Sequence, residues 1–366
     1  MSDLHITPGP SVVPTKHWHQ LDDGRIQCDV CPRFCKLREG QRGLCFVRGR
    51  LNDQVVLASY GRSSGFCIDP IEKKPLNHFL PGTPVLSFGT AGCNLACKFC
   101  QNWDMSKSRQ QDTLADAASP EQLAAKAREL GARSIAYTYN DPVIFLEYAR
   151  DTAMACREQG VASVAVTAGY ICPEPAAEFF PYMDAANVDL KAFSDRFYQQ
   201  LTGSHLQPVL DTLKYIKHET NTWLEITTLL IPGENDSTEE LEAMSQWLVE
   251  NLGPDVPIHF SAFHPDYKMQ ATPATPAVTL SRARQIAMTA GLRYVYTGNV
   301  HDPVGDTTFC HGCGHKLIER DWYNLLAWRL DDNGRCQHCA TELAGRLEAK
   351  PGNWGQRRLP VRMLEG

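Results

Sequence analysis

The chain has 366 residues, 43% of them hydrophobic and 21% charged, with a formal net charge of −6. That length can bury one core of barrel size or two to three smaller ones. The composition is that of ordinary globular proteins and excludes disordered, collagen-like and repeat architectures. Apart from Gly355-Gln356-Arg357-Arg358 there is no lysine- or arginine-rich run, which argues against a nucleic-acid binder. No apolar run reaches the length of a membrane span, so a soluble, cytoplasmic protein acting on a small molecule or a protein is expected. Most of the fourteen cysteines fall in Cys-x2-Cys or similar clusters, the pattern of metal sites in a reducing compartment.

In chain order, residues 1–27 read as a flexible, partly ordered leader with scattered histidines, in preference to a metal site at His17-Trp18-His19. Cys28, Cys31, Cys35 and Cys45 follow, with Pro32, Gly40 and Gly43 marking turns. Four thiolates make a complete ligand set, for tetrahedral zinc or for an iron–sulfur cluster alike. Residues 54–60 are expected as a strand. Residues 61–76 read as a polar, loop-like approach holding Cys67, with Lys73 and Lys74 on a surface or beside a substrate.

The run 84–88 predicts a buried strand, and Cys93, Cys97 and Cys100 then place three thiols on one tight loop. Gly89 and Gly92 let the backbone return close to the sulfurs. A cubane cluster has four irons, so three cysteines leave one iron open to a substrate or cofactor. A structural site would want a fourth ligand.

From here strands and helices alternate. Strands are expected at 134–139, 162–167, 186–192, 223–231, 257–263 and 293–297. Helices are expected from Ser119 to Gly131, at 142–159, 173–183, 194–201, 208–218 and 237–252, and from Thr279 to Gly291. The second helix holds Cys156 as a core residue. Repeated right-handed crossovers predict an α/β fold, a partial (β/α)6-type barrel over 81–300 with ligands at the C-terminal strand ends. Cys-rich extensions at 1–80 and 301–366 flank it. Polar residues gather at the strand ends: Thr138 to Asp141, Thr167 and Gly169, Asp189 and Lys191, Glu225, Thr227 and Thr228, His264 and Asp266. The charged ones need partners inside the barrel mouth, as a site or as a structural ion pair. Cys310, Cys313, Cys336 and Cys339 form two Cys-x2-Cys knuckles, the signal for one structural zinc site with His311, His315 and His338 as bystanders.

Taken together, Cys28-Asp29-Val30-Cys31-Pro32, Asp69 to Leu76, Gly92 to Trp103, Tyr137 to Pro142, Asp189-Leu190-Lys191, Ile231-Pro232-Gly233, Phe263 to Tyr267 and Tyr296 to Asn299 carry a resemblance. The chain resembles the radical S-adenosylmethionine (SAM) component of the AmmeMemoRadiSam system, a relative of pyruvate formate-lyase activating enzymes. The resemblance implies a radical SAM barrel and a [4Fe–4S] cluster on Cys93, Cys97 and Cys100 whose open iron binds SAM. Phe99 would lie near adenine. Asn140 and Asp141 stand where relatives hold the methionine amino group with a Gly-Gly-Glu stretch. Thr167 opens a Thr-Ala-Gly where activating enzymes have Thr-Asn-Gly, and Asp189, Lys191 and His264 match positions near the SAM carboxylate and ribose. Lys191 and His264 are the implied catalytic residues. The implied activity is oxidoreductase-like: reductive cleavage of SAM to a 5′-deoxyadenosyl radical that abstracts hydrogen from a protein or small molecule. Glycyl-radical activation is one version, and a non-catalytic metal-binding scaffold is the alternative of another class. Implied partners are an electron donor such as flavodoxin or ferredoxin, and Memo-like and AMMECR-like proteins.

Overall fold

The computed structural model describes residues 6–108, 114 and 116–363, so the first five residues of the N-terminal extension and the last three of the C-terminal one lie outside the described residues. Its centre is one sheet whose strands, in chain order, are β1 (Phe66–Pro70), β2 (Pro84–Phe88), β3 (Ser134–Tyr137), β4 (Ala162–Thr167), β5 (Ala185–Asp189), β6 (Trp223–Leu230), β7 (Ile258–Ala262), β8 (Val295–Gly298) and β9 (Leu359–Val361). The spatial order is β8-β7-β6-β5-β4-β3-β2-β1-β9. From β2 to β8 each neighbouring pair is parallel, and each crossover carries a helix. The alternation expected from the sequence is therefore an α/β fold with a parallel-sheet core, open rather than closed, because its ends are β8 and β9.

Local chemistry starts the helices. Ser119 caps α1 (Pro120–Glu129): its Oγ accepts from the Gln122 backbone N–H at 3.2 Å, and Gln122 Oε1 accepts from the Ser119 N–H at 2.8 Å. The second helix, α2 (Leu146–Glu158), is entered through a 3-10 turn, Pro142–Phe145, capped by Asp141; Cys156 on it is fully buried.

Four expectations need correction. The approach to the loop of Cys93, Cys97 and Cys100 is no loop at 66–70: β1 pairs antiparallel with β2, and all five of its residues are buried. Asp69 hid it, since a carboxylate reads as polar, yet here it is neutralised by Lys74 at 2.7 Å and Lys73 at 3.2 Å. Lys74 is accordingly buried, not on a surface. The leader is ordered from residue 6: Trp18–Gln20 pairs with Ile26–Cys28, and His17 and His19 meet the carboxylates of Glu178 and Asp29. Glu225 lies near the N-terminal end of β6 instead of at the barrel mouth. There it accepts from the backbone N–H groups of Asn77 and His78 at 3.0 and 2.8 Å and pairs with His259 at 2.7 Å. It fastens the segment between β1 and β2 as a plug under the barrel, the structural reading of that charge.

Residues 194–201 form a short helix, Asp195–Phe197, and a π turn, Tyr198–Thr202, closed by Gly203 in the left-handed region. At the C-terminal end, Thr308–Phe309, Lys316–Asp321 and Asn324–Trp328 make a small antiparallel sheet. Among the described residues no helix is long and apolar enough to cross a membrane.

Candidate active site

A cavity of about 340 Å³ opens at the C-terminal ends of the parallel strands. Cys93, Cys97 and Cys100 stand in its wall, on the loop that follows β2. Backbone bonds fix that loop: the N–H groups of Ala96 and Lys98 donate to the carbonyls of Thr202 and Leu201 at 2.8 and 2.9 Å, and the Asn94 side chain donates to the Tyr170 carbonyl at 2.9 Å. The close approach is possible only without side chains at two positions. A β-carbon on Gly89 would fall 2.4 Å from the Thr138 carbonyl oxygen, and one on Gly92, at φ +85°, would fall 2.0 Å from that of Cys45.

Phe99, Asn140, Asp141, Thr167, Asp189 and Lys191 all line the same cavity. His264 does not; it is exposed beyond the lining. Lys191 follows β5, where the ladder stops at Asp189, and its Nζ donates to Asp189 Oδ2 at 2.8 Å. Burial pulls the Lys191 ammonium down, but the Asp189 carboxylate and the Cys97 sulfur more than offset it, and the net direction is upward, so the side chain stays cationic. Asp141 accepts from Val143 N–H, Thr167 Oγ1 and Ala168 N–H at 3.1, 2.8 and 3.0 Å. Asn140 accepts from Thr90 N–H at 3.1 Å and donates to the Gly92 carbonyl at 2.8 Å. Both side chains are thus spent on tying β3, β4 and the cysteine loop together.

Sequence reasoning passed over several lining groups. Ser106 Oγ is 3.0 Å from Cys100 Sγ, Lys107 Nζ donates to the Leu95 carbonyl at 2.8 Å, and Ser261 closes the far wall. Asn102, ahead of the short helix Trp103–Ser106, was the available signal that the chain turns back onto the cysteines. Tyr139 lines the cavity with φ +70°, its hydroxyl donating to Asp69 at 3.0 Å and the Lys74 ammonium 5.0 Å over its ring.

Two observations bear on what the cavity can hold. Burial pushes the Cys93 thiol up to about 12 and Cys97 upward as well, so they become thiolate ligands when a metal's charge takes the proton's place. Thr227 Oγ1, buried in the lining, has no hydrogen-bond partner in the protein. Three thiols and an orphaned hydroxyl in one polar-walled cavity fit an iron–sulfur cluster with a polar organic ligand.

Residues 88–247 match the model of the Radical SAM superfamily. Over those residues the chain carries a radical SAM domain. This radical SAM protein is 39% identical over 327 residues to the uncharacterized protein MJ0808 of Methanocaldococcus jannaschii, covering 89% of its own length and 97% of the relative's. It is 23% identical over 171 residues to the pyruvate formate-lyase-activating enzyme of Clostridium pasteurianum, covering 44% of its own length and 67% of that enzyme. Among solved structures it is similar to a radical SAM methyltransferase from Sphaerobacter thermophilus, with a TM-score of 0.47, 17% identity and coverage of 78% of this chain and 76% of the other. The radical SAM domain implies a [4Fe–4S] cluster, SAM and an electron donor.

In the C-terminal module Cys310 and Cys339 Sγ lie 3.5 Å apart, Cys313 and Cys336 Sγ 3.7 Å, and all four within 4.8 Å of one another, a set that could hold a metal ion. Cys313 also groups with His315 and His338, whose rings stack at 3.7 Å.

Proposed function

We propose that this protein is an enzyme that cleaves SAM reductively and abstracts hydrogen from a protein or small-molecule substrate, with Cys93, Cys97 and Cys100 as the cluster ligands. The observation that carries the reading is the count of thiols: among the described residues no fourth cysteine lines the cavity, so a cluster there keeps one iron for a non-protein ligand. A scaffold protein would have closed the set. When bound, such a cluster supplies one electron to the sulfonium of SAM, whose carbon–sulfur bond breaks to give methionine and a 5′-deoxyadenosyl radical.

The chain's own groups bind, orient and shield. The Lys191 ammonium offers a charge-assisted bond to the SAM carboxylate, and Asp189 accepts from the ribose hydroxyls. Phe99, packed 5.7 Å from Phe197, gives adenine an apolar wall. Thr227 has a hydroxyl free for the ligand. Asn140, Asp141 and Thr167 act as positioning residues, because their polar atoms are already engaged. The barrel walls and the plug behind Glu225 keep water from a carbon radical. His264, exposed outside the lining, has no part in this reading.

An electron donor such as flavodoxin or ferredoxin would reduce the cluster. Glycyl-radical activation is the version supported by the likeness to a pyruvate formate-lyase-activating enzyme. The motifs from Asp69 to Leu76 and from Phe263 to Tyr267 support placement with the AmmeMemoRadiSam component, with Memo-like and AMMECR-like proteins as partners. The C-terminal sulfur spacing supports structural zinc, since four sulfurs 2.3 Å from one ion stand about 3.8 Å apart. The test is direct: anaerobically reconstituted, reduced protein given SAM should release 5′-deoxyadenosine, measured by chromatography. Release that persists in Cys97→Ala would sink the assignment.

A further inference from the structure

Two four-cysteine sets lie outside the cavity, and their shapes differ. The C-terminal sulfurs are drawn together as a single ion requires. The N-terminal set surrounds a space. Cys28, Cys31, Cys35 and Cys45 line a void of about 20 Å³, large enough to admit a water-sized sphere. A sulfur tetrahedron about 3.8 Å on edge closes on its zinc and leaves no such room.

The void is not a water site either. A buried water needs two to four polar partners, and apart from the thiols the walls are mainly apolar, with Leu37, Val143 and Ile144 among them. Arg48, the charged group in the wall that is fully buried, is committed: its Nε donates to the Ile144 carbonyl at 2.8 Å and its Nη1 to Glu147 at 3.0 Å. A space ringed by four thiols and closed by apolar side chains suits a group that makes its bonds to sulfur and is larger than one ion.

We propose that Cys28, Cys31, Cys35 and Cys45 hold a second iron–sulfur cluster, fully ligated by protein, next to the open one. The assignment itself is independent of the activity proposed above; only the second cluster's place beside a SAM-binding centre rests on that reading. The two ligand loops touch through their backbones. The carbonyl of Cys45 lies against Gly92, adjacent to Cys93, and Arg33 Nε donates to the Asn94 carbonyl at 2.8 Å. Asn94 itself lines the N-terminal void while Cys93 and Leu95 on either side of it line the cavity. With four thiolates bound, this cluster has no open iron and takes no SAM.

The experiment is a count of iron, acid-labile sulfide and zinc on anaerobically reconstituted full-length protein. The triple variant Cys93→Ala, Cys97→Ala, Cys100→Ala should retain iron with matching sulfide, together with about one zinc per chain. A triple variant without iron overturns the proposal, whether it carries one zinc or two. The wild-type protein gives the same decision without any substitution: more than about four irons per chain supports the second cluster, and about four irons overturns it. Wild-type protein that takes up no iron at all overturns the activity reading as well, so the two failures are told apart.

Discussion

At the scale of single residues, the cavity separates groups that hold the wall from groups left free to meet a ligand. Asn140 and Asp141 are expected as ligands because they stand where relatives hold the methionine amino group with a Gly-Gly-Glu stretch. Their hydrogen bonds, invisible in sequence, show them occupied with Val143, Thr167, Ala168, Thr90 and Gly92. Lys191 is the opposite case: paired with a single carboxylate, it still faces the cavity with donors to spare. Lys191→Met is therefore expected to weaken SAM binding about 10- to 100-fold, the worth of a bond to a charged group, without lowering the iron content. Equilibrium dialysis with labelled SAM checks it, and unchanged affinity would remove Lys191 from the site.

At the scale of elements, most of the sheet was legible because parallel strands buried on both faces are apolar runs, as 84–88 and 162–167 are, and because helix starts such as Ser119 announce themselves. What was not legible depended on charge neutralised from elsewhere. The strand β1 contains Asp69, and the 3-10 turn Ile71–Lys73 that follows contains Glu72, also buried. Glu72 accepts from Gly82 N–H at 2.6 Å, while its other oxygen has no partner. Burial raises its carboxyl to about 7, opposed by Arg320. Since the folded value lies above the unfolded one of 4.5, the stabilising protonated state is fully present below pH 4.5 and is lost as pH rises through 7. The contribution of Glu72 to stability should fall by about 3 kcal/mol across that window. Glu72→Gln should flatten the profile and be the more stable protein at pH 8, as chemical denaturation at several pH values would show. A parallel loss in both proteins would contradict this account.

At the scale of the whole molecule, the C-terminal module is bolted to the bottom of the barrel. Arg320 Nη2 donates to the Asn77 carbonyl at 2.8 Å, His78 Nδ1 bonds the Ala344 carbonyl at 2.6 Å, and the Arg346 and Leu80 N–H groups donate to the carbonyls of His78 and Arg346 at 2.7 and 2.9 Å. Its partners are the residues that Glu225 fastens from above. If the four cysteines hold zinc as proposed, Cys336→Ala with Cys339→Ala should unfold this module ahead of the barrel, splitting one calorimetric transition into two. A single unshifted transition would mean that the four cysteines bear no folding load.

The strand β9 lies along β1 as the edge of the main sheet, and the same tail brings Arg358 to within 3.4 Å of Cys67 Sγ, a partner 291 positions away. Such a contact is strongly non-local, and the ribosome delivers β9 after every other strand of the main sheet. Until then the nascent sheet presents β1 as a bare edge, the kind of surface along which unfinished chains add to one another. The residues of β9 therefore act as a late seal, and chains cut short before Leu359 should accumulate as aggregates even with every cysteine in place.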